Sequence, residues 1–83
     1  MKQAEKLVYG DRQQDYGHPK HDFQRTAAMW SAILGHLIKP EQVPLCMIAV
    51  KLSRLVKSPD KMDSVVDIAG YSECYAMCIK EEE

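Results

Sequence analysis

Long hydrophobic runs are missing from this chain of 83 residues, which argues against a membrane-spanning protein. The longest apolar runs are only a few residues, whereas a helix that crosses a bilayer needs about 20. The start of the chain also lacks the apolar stretch that a signal peptide requires. We therefore expect a cytoplasmic protein that does not insert into a membrane.

An excess of charge of one sign is missing as well. The chain carries 11 Lys and Arg residues against 12 Asp and Glu residues, a net charge of −1. Proteins that bind the backbone of DNA or RNA generally present a strongly basic field, so we expect no such binding here. The composition, 46% apolar and 28% charged, is that of an ordinary soluble globular protein.

Several catalytic and metal-binding motifs are absent. The sequence contains no P-loop, no G-x-S-x-G, no H-E-x-x-H and no C-x-x-C pattern. Kinase-type chemistry, acyl transfer and zinc hydrolysis therefore have no positive support. Cys46, Cys74 and Cys78 lie in apolar helical patterns, which predicts reduced, buried thiols. Cys74 and Cys78 are four residues apart and could bind zinc together, but no histidine stands at a supporting spacing.

What is present is a helical pattern along the whole chain. No alternation of apolar and polar residues indicates a strand, so the sequence predicts an all-α fold with one domain over residues 1–83. Short connections favour a compact antiparallel bundle of about four helices. These predicted helices cover residues 2–9, Pro19 to an end marked by Gly35, Lys39 and Pro40, Pro40 to about Lys57, and about Asp60 to Glu82. Because so short a chain buries a small core, we also expect a homo-oligomer.

Apolar residues at helical spacing mark one side of each longer helix. In the second predicted helix this stripe consists of Phe23, Ala27, Trp30, Ile33, Leu34 and Leu37. In the third it consists of Leu45, Ile48, Ala49, Leu52, Leu55 and Val56. The fourth helix is apolar around much of its surface, which predicts contact with more than one neighbour.

One polar segment, Gly10 to Pro19, interrupts this pattern. It holds Arg12, Asp15, Tyr16 and His18, together with glycines and a proline that favour turns. Loops carried by rigid elements often hold binding groups, so this loop is the first candidate site.

A second set of polar residues falls on two successive helices. Lys51 and Arg54 are three residues apart in one helix, and Asp63, Asp67 and Tyr71 follow at intervals of four in the next. If these helices are antiparallel, the cations and the carboxylates meet. They then form either a structural salt-bridge network or a site in which the carboxylates hold Mg²⁺ and the cations receive phosphate.

The motifs of the chain resemble those of a family of small uncharacterised phage and prophage proteins. The resemblance covers nearly the whole chain and rests on residues 7–13, 15–19, 51–55 and 63–71, together with Phe23, Arg25 and Trp30. The shorter motifs within these segments, D-Y-G, K-x-x-R and D-x-x-x-D-x-x-x-Y, are also similar to phage nucleotide-modification-associated domains, and more distantly to all-α NTP pyrophosphohydrolases of the MazG type. This chain lacks the E-x-x-E and E-x-x-D acids of those enzymes, which favours binding without turnover.

The resemblance implies a nucleotide or cyclic-nucleotide binding protein that sequesters its ligand, for example to counter host immune signalling. The residues expected to bind the ligand are Arg12, Tyr16, His18, Lys51, Arg54 and Tyr71. One alternative is a Mg²⁺-dependent nucleoside triphosphate pyrophosphohydrolase, with Asp63 and Asp67 as metal ligands and Asp15 as helper base. Another is a protein inhibitor of a host enzyme that acts through its surface.

Overall fold

The computed structural model describes residues 18–82, and the side chains of residues 18–80. Three helices account for most of this range, and no strand occurs in it: α1 is Pro19–Leu34, α2 is Gln42–Lys57 and α3 is Met62–Glu82. The predicted all-α class is thus confirmed for this part of the chain. The helix predicted over residues 2–9 lies outside the described residues, so a count of four helices stays a prediction.

Helix α1 has a distinct cap at each end. The Nδ1 atom of His18 accepts a hydrogen bond from the Lys20 backbone N–H at 3.1 Å, and Pro19 occupies the first helical position, where its missing N–H costs little. At the other end, Gly35 adopts a left-handed conformation with φ of 77° and ends the helix. Leu37, which periodicity places on the stripe of this helix, therefore lies in the linker.

One serine of α1 forms a hydrogen bond to the linker that follows this helix. The Ser31 hydroxyl accepts a hydrogen bond from the Ile38 backbone N–H at 2.8 Å and donates one to the Ala27 carbonyl at 2.7 Å. Ile38 in turn packs against the core. Helix α2 then begins at Gln42, slightly later than Pro40, which leaves Pro44 in the first turn where the helix tolerates it.

Helices α2 and α3 pair in antiparallel fashion, as the short connection predicts. Val43, early in α2, clusters with Cys74 and Cys78, late in α3, while Lys51 meets Asp67 nearer the connection. Helix α2 ends at Lys57, as Ser58-Pro59 predicts, and α3 begins two residues later than predicted. This helix pair is the most extensive contact between elements, and α1 packs across both helices.

The core of the described chain is small. Its buried members are Phe23, Ala27, Val43, Cys74 and Cys78, and its partly buried neighbours are Trp30, Ile38, Met47, Tyr71 and Met77. The thiols of Cys74 and Cys78 are free and buried, as predicted. The prediction for Cys46 is wrong, because its position on α2 turns away from the core and leaves it exposed.

Much of the predicted apolar stripe on two helices does not face this core. On α2, the core-facing side includes Val43 and Met47 instead, because that is the side turned to α1 and α3. On α1, only the first half of the stripe is buried. The large apolar side chains left exposed on these two helices and their linker are Met29, Ile33, Leu34, Leu37, Leu45, Val50, Leu52 and Val56.

Across the part of the chain that the structure describes, no helix is both long and apolar enough to cross a membrane.

Candidate functional site: a basic groove between two helices

A groove with a volume of about 420 Å³ opens where α2 ends and α3 begins. We call it the basic groove. Its lining residues are Lys51, Arg54, Lys57, Ser58, Lys61, Asp63, Ser64 and Asp67. The last two turns of α2, the connection and the first two turns of α3 supply these residues, so one helical hairpin builds the whole groove.

One ion pair joins the two helices within the basic groove. The Lys51 Nζ atom lies 2.9 Å from Asp67 Oδ2, a charge-assisted contact at hydrogen-bond distance. The Lys51 side chain is only 13% exposed, while that of Asp67 is 35% exposed. Because a largely buried ammonium group needs a partner, Asp67 holds Lys51 in place.

The remaining charges leave the groove with an excess of cations. Arg54, Lys57 and Lys61 are exposed and form no ion pair with another described residue. Four cations thus stand against two carboxylates, and one of these carboxylates is neutralised by Lys51. A concave surface with this balance attracts anions although the chain as a whole is nearly neutral.

The start of α3 adds to the same field. Asp63 and Ser64 lie in its first turn, and both line the groove. The backbone N–H groups at the start of a helix carry partial positive charge and can donate to an anion. Cationic side chains and a helix start therefore converge on one space.

Tyr71 lies in a different cavity, with a volume of about 280 Å³, which we call the aromatic cavity. It is lined by Asp22, Phe23, Thr26, Trp30, Val43, Met47 and Tyr71. The rings of Phe23 and Tyr71 lie 6.5 Å apart at 53°, a usual separation for packed aromatic side chains. Tyr71, which is predicted to bind the ligand together with Lys51 and Arg54, therefore does not line the basic groove.

The aromatic cavity and the basic groove follow each other along the α2 and α3 pair. Met47 lines the cavity and Lys51 lines the groove one turn further along α2. On α3, which runs antiparallel to α2, Tyr71 lines the cavity and Asp67, one turn earlier in the chain, lines the groove. One helical turn spans about 5.4 Å, so the two spaces are neighbours.

The predicted site residues thus divide into three groups. Lys51, Arg54, Asp63 and Asp67 come together in the basic groove. His18 caps α1, and Tyr71 lines the aromatic cavity. Arg12, Asp15 and Tyr16 lie outside the described residues. Their predicted roles stay predictions.

Sequence reasoning missed Lys57 and Lys61, which complete the cationic lining. Lys57 stands three residues after Arg54, and Lys61 directly precedes α3. The spacing rule used for Lys51 and Arg54, extended by one turn, identifies Lys57. Lys61 lies in the connection, where helical spacing does not apply, and only its position beside the start of α3 points to the groove.

The groove supplies only part of a metal site from the described residues. Asp63 and Asp67 are one turn apart, but Asp67 is already paired with Lys51. No group of three or more His, Cys, Asp or Glu side chains within this part of the chain is arranged to hold a metal ion. A Mg²⁺ site would thus need further ligands. Asp15, which the sequence predicts as a helper base and not as a ligand, lies outside the described residues.

Within the described residues, fold and groove define an all-helical unit with a concave surface rich in cations. Over residues 1–79 the sequence matches the family described as Domain of unknown function (DUF6378), and the chain belongs to that family. No solved structure gives a significant match.

Two curated relatives are phage proteins. The chain is 41% identical over 70 residues to the Gene 55 protein of Mycobacterium phage L5, an alignment that covers 83% of this chain and 45% of the relative. It is 32% identical over 81 residues to the Gene 55 protein of Mycobacterium phage D29, covering 98% of this chain and 54% of the relative. The resemblance to phage proteins is therefore confirmed, and the chain spans about half the length of the curated relatives it matches.

Proposed function

We propose that this chain binds a nucleotide or cyclic nucleotide, with the phosphate group in the basic groove. The observation that carries this proposal is the convergence of Lys51, Arg54, Lys57 and Lys61 on one concave space at the start of α3. Arginine and lysine side chains bind phosphate oxygens through charge-assisted hydrogen bonds, and the helix start supplies backbone donors.

The neighbouring aromatic cavity supports a nucleotide over inorganic phosphate. Trp30 and Tyr71 supply aromatic surface next to the groove, and aromatic faces stack on bases without sequence preference. Asp22 lies at the same cavity and offers acceptor oxygens for the donor groups of a base. A nucleotide could therefore extend along the α2 and α3 pair from cations to aromatic rings.

Sequestration without turnover remains our first hypothesis, with countering of host immune signalling as its biological use. The likeness to nucleotide-modification-associated domains and MazG-type enzymes points to the same class of ligand. The Mg²⁺-dependent pyrophosphohydrolase is the alternative, in which Asp63 and Asp67 would hold the ion and Asp15 would act as helper base. The third hypothesis is a protein inhibitor that binds a host enzyme through its surface.

The first test changes cations inside and outside the groove. Arg54→Gln and Lys57→Gln each remove a groove cation, whereas Lys39→Gln removes an exposed lysine from the α1–α2 linker. We expect each groove variant to weaken nucleotide binding tenfold or more, because a hydrogen bond to a charged group contributes about 1.5–3 kcal/mol and about 1.4 kcal/mol is a factor of ten. Isothermal titration calorimetry with a panel of linear and cyclic nucleotides measures this effect.

Lys39→Gln should bind like the wild-type chain. Equal affinity in all three variants, or no binding of any nucleotide to the wild-type chain, would contradict the proposed site. Ligand recovered intact after heat release supports sequestration, whereas product that disappears with EDTA and in Asp67→Asn supports the enzyme. A surface-acting inhibitor predicts no thermal shift with any nucleotide and tolerance of substitution at Lys51.

A further inference from the structure

A second surface of α2, distinct from the basic groove, has the pattern of a helix–helix interface. Leu45, Ala49, Leu52 and Val56 stand at i, i+4, i+7 and i+11, which places them in one line along the helix. All four are exposed, with Leu45 at 48%, Leu52 at 52% and Val56 at 86%. We call these four residues the α2 stripe.

The α2 stripe is spaced like the seam of a coiled coil. Alternating steps of four and three residues keep one apolar line facing a partner helix over three turns. A helix that faces solvent on one side normally carries polar residues there, so an exposed line of this kind marks an interaction surface.

Charge is absent from the stripe and concentrated elsewhere on the same helix. The charged residues of α2 are Lys51, Arg54 and Lys57, and all three line the basic groove. Two copies of the stripe can therefore approach each other without opposing like charges. A partner whose docking face is charged would not be complementary to this side of α2.

The exposed apolar surface extends beyond the stripe. Ile33 and Leu34 lie at the end of α1, and Leu37 lies in the linker that leads to α2. All three are exposed. A stable interface buries about 800 Å² on each partner, more than one short helical stripe provides. These residues supply additional apolar area near the end of α2 that carries Leu45.

We propose that two copies of this chain associate through their α2 stripes. In a two-fold dimer the same patch is used by both partners, so a surface must be complementary to itself. An uncharged stripe of leucine, alanine and valine meets this requirement, with Ala49 allowing close approach between the helices. The dimer leaves both basic grooves open, because their residues occupy another side of α2.

Sedimentation velocity over a range of concentrations tests this dimer. We expect the wild-type chain to sediment as a dimer and Leu52→Glu to sediment as a monomer. The matched control is Val50→Glu, because Val50 is 41% exposed on the same helix but lies off the stripe. It should remain dimeric, and circular dichroism should show wild-type helix content in both variants.

Three results would overturn the proposal: a monomeric wild-type chain at every concentration, an unchanged dimer in Leu52→Glu, or dissociation by Val50→Glu as well.

Cross-linking provides a second measurement that does not disturb the stripe. In a Cys46→Ser background, Ala49→Cys should be joined to its partner copy by a short bis-maleimide, while Val50→Cys should not. Cys74 and Cys78 are buried, so they do not compete for the reagent. Equal cross-linking at both positions would contradict the arrangement.

Discussion

At the scale of single residues, the ion pair between Lys51 and Asp67 can act in two ways, as a structural link between helices and as part of a binding site. The pair joins α2 to α3, which is the structural interpretation of these residues. It also fixes a lysine at the end of the basic groove nearest the aromatic cavity, which is the interpretation as a site. A contact of 2.9 Å is compatible with both.

A pair of variants distinguishes these roles. Asp67→Leu leaves the largely buried Lys51 ammonium group without its partner, so we expect a loss of about 1–3 kcal/mol in the free energy of unfolding. Adding Lys51→Met should restore most of this loss, because replacing both partners by apolar groups removes the uncompensated charge. Urea unfolding measures both effects.

The restored double variant then tests function. If the pair is purely structural, the double variant binds nucleotide like the wild-type chain. Our proposal expects weaker binding, because the Lys51 ammonium group is lost as a donor to the phosphate although the net charge of the groove is unchanged. Failure of Lys51→Met to restore stability would instead show that the ion pair is not the source of the loss.

At the scale of elements, the sequence predicts helix type and helix ends better than helix faces. The Ser58-Pro59 pair ends α2 at the predicted place, because a proline restricts the residue before it. Helix α1 ends at Gly35, the first of its three predicted end markers, because this glycine adopts a left-handed conformation. The face of α2 was not predictable in the same way. Both Val43 with Met47 and Leu45 with Leu52 form apolar lines, and only tertiary contact decides which line faces the core.

In the candidate site, too, the features set by local sequence were predictable and those set by tertiary contacts were not. Antiparallel pairing of α2 and α3 follows from a four-residue connection, so the meeting of Lys51 with Asp67 was predictable. The separation of Tyr71 from the groove was not predictable. It depends on how α1 packs Phe23 against Tyr71, and this long-range contact cannot be inferred from the spacing of residues in α3.

Helix α1 allows a test of the role predicted for His18. His18→Ala removes the hydrogen bond that the Lys20 backbone N–H donates to His18 Nδ1, so we expect a loss of about 1 kcal/mol in unfolding free energy. His18→Asn should keep most of this stability, because asparagine is an effective N-cap. Thermal or urea unfolding of both variants checks the prediction.

The same two variants address ligand binding. If His18 acts only as a cap, His18→Asn binds nucleotide with wild-type affinity. Weaker binding in His18→Asn with unchanged stability would show that the imidazole contacts the ligand, as the loop motif predicts.

At the scale of the whole molecule, two surfaces of α2 divide the proposed tasks. The basic groove carries the cations for ligand binding, and the α2 stripe carries the apolar residues for self-association. Since the core of the described chain is small, association would also add stability that a single copy lacks. The curated relatives are about twice as long as this chain, so activity of those whole proteins is a separate proposal.

The central claim is that the basic groove binds the phosphate of a nucleotide, and an amide-resolved NMR titration tests it most directly. Nucleotides would be added to the ¹⁵N-labelled chain while the backbone N–H shifts are followed. We predict saturable shift changes concentrated from Lys51 to Asp67, with smaller changes at Trp30 and Tyr71. Saturable changes confined to other residues, or none with any nucleotide in the panel, would contradict the claim.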